Sequence, residues 1–166
     1  MELILNKTAY LQMLCNKYGD FRVCSSRKLP SGEVQFTTRK SVLDCWHSKK
    51  GLWFLSVANH REPFTCEIFL DKDEGDMDQW LKDTCDKLDK EQIRYYAYST
   101  SSRGYHIHVI IPKLNSMSRV QREQYRERFI TKYNAELLKK SDAHTVAIEN
   151  YAHWKTGNIK TLIRRY

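Results

Sequence analysis

The alternation of apolar and polar positions predicts a helix over about residues 7–18, and strands over Val34-Gln35-Phe36-Thr37 and Trp53-Phe54-Leu55-Ser56-Val57. The pattern sharpens from residue 65 onward. Thr65-Cys66-Glu67-Ile68-Phe69-Leu70-Asp71 reads as a strand. Met77, Trp80, Leu81, Cys85 and Leu88 then recur at helical spacing just after Gly75-Asp76, where an aspartate can cap the first turn. Two further strands, Arg94-Tyr95-Tyr96-Ala97-Tyr98 and Tyr105 to Ile111, flank the turn Ser99-Thr100-Ser101-Ser102-Arg103-Gly104. A charged helix is expected from about Ser118 to Lys140. Tyr125, Phe129, Tyr133 and Leu137 form its stripe, and Ser118 with Gln121 forms a capping box. A short strand, Thr145-Val146-Ala147-Ile148, runs into Glu149. The order β-α-β-β-α-β predicts an α+β fold built on an RRM-like, ferredoxin-like antiparallel sheet.

At 166 residues, 41% hydrophobic, the chain can close one core, so a single unit is expected over 1–166. Within it, about 1–64 forms a small N-terminal α/β portion and about 65–166 the RRM-like portion. The 28 Lys+Arg against 20 Asp+Glu leave a net charge of +8, which favours a polyanionic partner, nucleic acid first. No apolar run approaches the roughly 18 residues of a membrane span, so the chain is expected to be soluble and cytoplasmic, with no membrane partner. Cys15, Cys24, Cys45, Cys66 and Cys85 are odd in number and lack framework spacing, which suits reduced thiols. Cys15, Cys24, Cys45 and His47 contain no Cys-x-x-Cys pair, so no structural zinc is expected there.

Asp71-Lys72-Asp73 sets two carboxylates on one side of a strand end, the kind of oxygen pair a hard divalent cation requires. Such a pair suits two-metal phosphoryl transfer with Mg²⁺ or Mn²⁺. The turn that follows supplies Ser101, Ser102, Arg103 and Gly104, whose amides, hydroxyls and guanidinium fit a triphosphate. His106 and His108 stand at alternate positions of the next strand, next to that turn. Glu149 is the candidate third acid, with Asp142 as the alternative. Behind it His153, Lys155 and Lys160 form a cationic stretch for phosphate or template backbone.

An apolar strand ending in Asp-x-Asp, then Ser-rich-Arg-Gly-Tyr-His, then an acid followed by His-x-Lys-Thr-Gly resembles the three motifs of the archaeo-eukaryotic primase superfamily, over roughly residues 66–160. The resemblance implies a DNA primase or primase-polymerase acting on a DNA template with NTP or dNTP, with other replication proteins as further partners. It implies Asp71, Asp73 and Glu149 as catalytic metal ligands, and Arg103, His106, His153 and Lys155 as nucleotide contacts. Lys72 stands where that family usually carries an apolar residue.

Two other readings use parts of the same sequence. His106-Ile107-His108, with Tyr151 about 40 residues on, also resembles the metal motif and tyrosine nucleophile of rolling-circle initiators and relaxases. Tyr95, Tyr96, Tyr98 and Tyr105 would suit a non-catalytic RRM-like module that stacks bases.

Overall fold

A computed structural model describes residues 6–100, 104–152 and 157–166, with Leu138 described in its backbone only. Asn6 caps helix α1 (Lys7–Tyr18) by accepting from the amide of Ala9, and Gly19 ends it at φ 89°. Four short strands follow: β1 (Arg22–Cys24), β2 (Ser26–Lys28), β3 (Val34–Phe36) and β4 (Lys40–Ser41). After helices α2 (Val42–Cys45) and α3 (Lys49–Val57) come β5 (His60–Arg61), β6 (Glu67–Lys72), α4 (Met77–Lys90), β7 (Tyr95–Ser99) and β8 (Tyr105–Ile110). A 3₁₀ turn (Pro112–Ser116) leads to α5 (Arg119–Lys132), a second 3₁₀ turn (Leu137–Lys140), β9 (Val146–Ala147) and β10 (Thr161–Arg165).

The chain is α+β, with antiparallel sheets. The main sheet has the order β10-β7-β8-β6, a second has the order β4-β1-β5-β9, and β2 with β3 forms a separate two-stranded ribbon. Side chains alternate across the main sheet. Ile68, Leu70, Tyr95, Ala97, Ile107 and Val109 face one way and close a core with Trp80, Cys85 and Leu88 of α4 and Phe129 and Ile130 of α5. The opposite face carries Glu67, Asp71, His106 and His108, whose side chains meet one another there. A second core joins α1 and α3 to the second sheet through Leu11, Leu14, Val23, Phe54 and Leu55, and reaches Cys66, Ile110 and Ile148.

Three expected elements are corrected. Trp53–Val57 is the end of helix α3, capped by the Ser48 hydroxyl on the amide of Gly51, because Phe54 and Leu55 bury against the second core while Trp53 faces solvent. The charged helix stops at Lys132. Asn134, at φ 51°, takes the left-handed turn that ends helices, and Leu137 is exposed. Finally, the strand expected over 145–148 does not complete the main sheet. Its core, β9, pairs with β5 in the second sheet, and β10 supplies the fourth strand beside β7. All five cysteines are buried free thiols, and among the described residues no helix is long and apolar enough to cross a membrane.

Candidate metal centre

β6 puts Glu67, Phe69 and Asp71 on one face at a two-residue period, with Asp71 near the end where the chain leaves the sheet. The backbone then receives a distant neighbour. After the turn at Asn134 the chain runs back along β6, and the Glu136 amide donates to the Asp71 carbonyl at 2.9 Å. Asp71, Asp73 and Glu136 each offer a carboxylate oxygen, all within 4.8 Å of one another; Asp71 is buried, Asp73 exposed and Glu136 half-buried. Lys72 points away from this cluster and donates to the Asn134 carbonyl at 3.0 Å. Three oxygen donors with an exposed Asp73 are a set that could hold a hard divalent cation.

The surroundings of Asp71 hold it ionised. Its Oδ1 lies 3.4 Å from His106 Nε2, its cross-strand partner, and its Oδ2 lies 3.2 Å from Lys139 Nζ. Burial pushes this carboxyl up, but His106 and Lys139 outweigh it and keep it below the ordinary carboxylate range. Glu136 moves the other way: burial raises it, and the charges of Asp71 and Asp73 raise it further. Burial and the charge of Lys160 lower His106, which favours the neutral ring. Among the described residues, His106 Nδ1 is buried without a hydrogen-bond partner, and Asp71 Oδ1 is met at 3.4 Å by His106 Nε2 without a fully formed hydrogen bond. Buried polar atoms are rarely left so.

Glu149 does not join this cluster. It follows β9 and lies against Arg61 of β5, at 3.2 Å, with the Tyr10 hydroxyl donating to it at 2.9 Å. Arg61 turns its other edge to Glu67, at 2.7 and 2.8 Å. His108 is held between Glu67, 2.9 Å from its Nδ1, and Lys160 Nζ, 2.7 Å from its Nε2. Both ring nitrogens are thereby engaged, which leaves His108 no lone pair for a cation. Burial alone would raise the Glu149 carboxyl, but the charges of Arg61, His108 and Lys160 hold it down at about 2. Burial pulls the Lys160 ammonium down to about 7 against the opposing attraction of Glu149. Glu149, Glu67 and His108 border a cavity of about 370 Å³ that Tyr10, Tyr96 and Tyr98 also line. Asp142, the alternative third acid, is bound by Arg122 at 2.6 Å and by Arg126.

The sequence thus identified Asp71, Asp73 and His106 as neighbours, and the fold supplies Glu136 in the position expected for Glu149. Ser101, Ser102, Arg103, His153 and Lys155 lie outside the described residues. The ends of their turn are described, however: Gly104 sits so close to the chain after Asp71 that an added Cβ would meet the Lys72 carbonyl oxygen at 2.5 Å. Gly104 therefore lies beside the chain that leaves β6 after Asp71. Tyr95 lies in the core on the opposite face from Tyr98, and the Tyr105 hydroxyl bonds Asp78, so these tyrosines form no single stacking platform. Glu136, Lys139 and Arg61 were missed. Glu67 carried a signal, an acid inside an apolar strand at the same parity as Asp71. No protein-family model matches the chain, and no curated protein matches it. Fold and site together define an α+β protein with an acidic cluster at one end of an antiparallel sheet.

Proposed function

We propose that the chain is a template-directed nucleotidyltransferase of the primase kind, in which Asp71, Asp73 and Glu136 hold the divalent cations. The observation that carries this reading is the convergence of three carboxylates, Asp71, Asp73 and Glu136, with an oxygen of each within 4.8 Å of the others at the end of the main sheet. Bound Mg²⁺ or Mn²⁺ would activate a 3′-hydroxyl and neutralise triphosphate oxygens. The chain's own residues do the rest. Lys139 keeps Asp71 charged, His106 Nε2 braces the Asp71 carboxylate, and Gly104 lies against the Lys72 carbonyl next to the acids. The 3′-oxygen bonds the α-phosphorus as the bond to pyrophosphate breaks, with the template strand and an NTP or dNTP as partners. Glu149, committed to Arg61, has a structural role in this account.

The test pairs Mn²⁺ titration with primer synthesis and extension on a single-stranded DNA template. Asp71→Asn and Glu136→Gln should each weaken Mn²⁺ binding by tenfold or more, on the order of the loss of a charged ligand, and should abolish incorporation. Glu149→Gln should leave Mn²⁺ affinity near that of the parent. Loss of Mn²⁺ binding in Glu149→Gln but not in Glu136→Gln would overturn the assignment of ligands. A covalent protein–DNA adduct that disappears in Tyr151→Phe would replace the polymerising reading with the endonuclease one.

A further inference from the structure

The ribbon of β2 and β3 joins neither larger sheet, and a two-stranded hairpin is marginal by itself. Here it is held stiffly. Its turn closes with Leu29 N to Glu33 O at 2.8 Å and Gly32 N to Leu29 O at 2.9 Å. Its base is tied by Ser25 and Thr37, which exchange bonds at 2.8 and 2.9 Å, and by Asn59, which binds both the amide and the carbonyl of Ser26. Little of this rigidity serves burial: every residue of β3 is exposed, and Phe36 is 52% exposed.

Cross-strand pairing sets Phe36 opposite Ser26, and Val34 opposite Lys28, on one face, while Arg27 is bonded to Gln35 on the other. The charge around the ribbon is one-sided. Residues 22–50 hold seven Lys+Arg against two Asp+Glu, so five of the chain's eight net positive charges lie in this stretch. Among the described residues, Arg27, Lys28, Lys49 and Lys50 have no carboxylate at ion-pair distance. Lys49 and Lys50 open α3, whose Trp53 is 64% exposed and whose Val57 carbonyl accepts from Ser25 at the ribbon's base. Phe36, edge-on to His60 at 5.4 Å but half exposed, and Trp53 stand among cations with no carboxylate partner, which matches a strand whose bases are free to stack and whose phosphates need counter-charge.

We propose that the β2–β3 ribbon is a binding site for single-stranded nucleic acid that wraps the ribbon's edge, with Lys28 on a phosphate and Phe36 stacked on a base on one face and Arg27 on a further phosphate on the other. This shares with the proposed function the premise of a nucleic-acid partner and uses none of its metal chemistry.

The experiment measures anisotropy of a fluorescein-labelled oligothymidylate of roughly 20 nucleotides, long enough to span one site of this kind, in EDTA over a salt series. An abasic strand of equal length serves as control. Arg27→Gln with Lys28→Gln should weaken binding by about tenfold at low salt and lower the slope of log affinity against log salt by about 1.4, two single-strand phosphate contacts. Phe36→Ala should weaken oligothymidylate binding by about tenfold and leave the abasic strand unchanged. A double variant with parental affinity and slope would sink the inference while leaving the metal reading intact, and would turn the patch over to another class of partner. Equal losses on both strands in Phe36→Ala would remove the stacking role. Failure of Mn²⁺ binding, with the ribbon variants still defective, would sink the metal reading alone.

Discussion

Arg61 sits between two buried carboxylates, Glu67 and Glu149, and is itself 1% exposed. A buried pair of this kind adds little against an apolar substitute, but removing one member strands the others. Arg61→Ala should therefore cost about 3–5 kcal/mol in urea unfolding, without loss of the Asp71 cluster's acids. Lys160 gives a pH signature. Its proton is released near 7 in the folded protein against 10.5 for an ordinary lysine. Between those values the unfolded chain binds more protons, so stability rises with pH. The penalty is fully present below 7 and gone above 10.5. Relative to Lys160→Met, the parent should gain stability steadily as pH is raised through this window in parallel denaturant titrations; a constant difference would refute the shift. At this scale the sequence exposed what local geometry decides. Asp71 and Asp73 flank one residue at a strand end, and periodicity suffices to pair them. Glu136 arrives by a backbone turn at Asn134, and Glu149 is claimed by an arginine 88 positions earlier; no spacing rule encodes either event.

Helix α3 shows how an element is set by what it touches. Gly51 lies against the end of α2, where an added Cβ would stand 2.1 Å from the Cys45 carbonyl oxygen. That atom is backbone and can yield only if α2 moves. Alanine is the better helix former by about 1 kcal/mol, but overpacking of this severity costs about 1–3 kcal/mol or more. Gly51→Ala should lower stability by up to about 2 kcal/mol net, read from thermal or urea unfolding; a stabilised variant would mean the helices separate easily. The run from Trp53 to Val57 reads as a strand because its residues favour extended chain. The cap at Ser48 and burial of Phe54 and Leu55 override that preference. Elements with strong periodicity and a cap, such as α4 behind Asp76 and α5 behind the Ser118–Gln121 box, were legible because both signals agree.

The two sheets cannot be divided at one point in the chain. β9 returns from beyond α5 to pair with β5, while Arg61 of β5 grips Glu67 of β6 and Lys160, just before β10, grips His108 of β8. The α+β class and the antiparallel main sheet were legible from alternation alone. The destination of β9 was not, since a two-residue strand carries too little pattern to choose between sheets. This interlocking has a measurable consequence. Trp46 packs at the second core and Trp80 lies within the main-sheet core, where its ring nitrogen donates to the Tyr133 carbonyl at 2.8 Å. Because both cores depend on the Arg61 network and on β9, they should lose structure together. Urea unfolding followed by fluorescence in Trp46→Phe and in Trp80→Phe should give curves that, after each is normalised to its own stability, coincide with far-ultraviolet circular dichroism, as two-state behaviour requires. If fluorescence and dichroism separate in either variant, the halves unfold independently, and the Arg61 network does not bind the molecule into one cooperative unit.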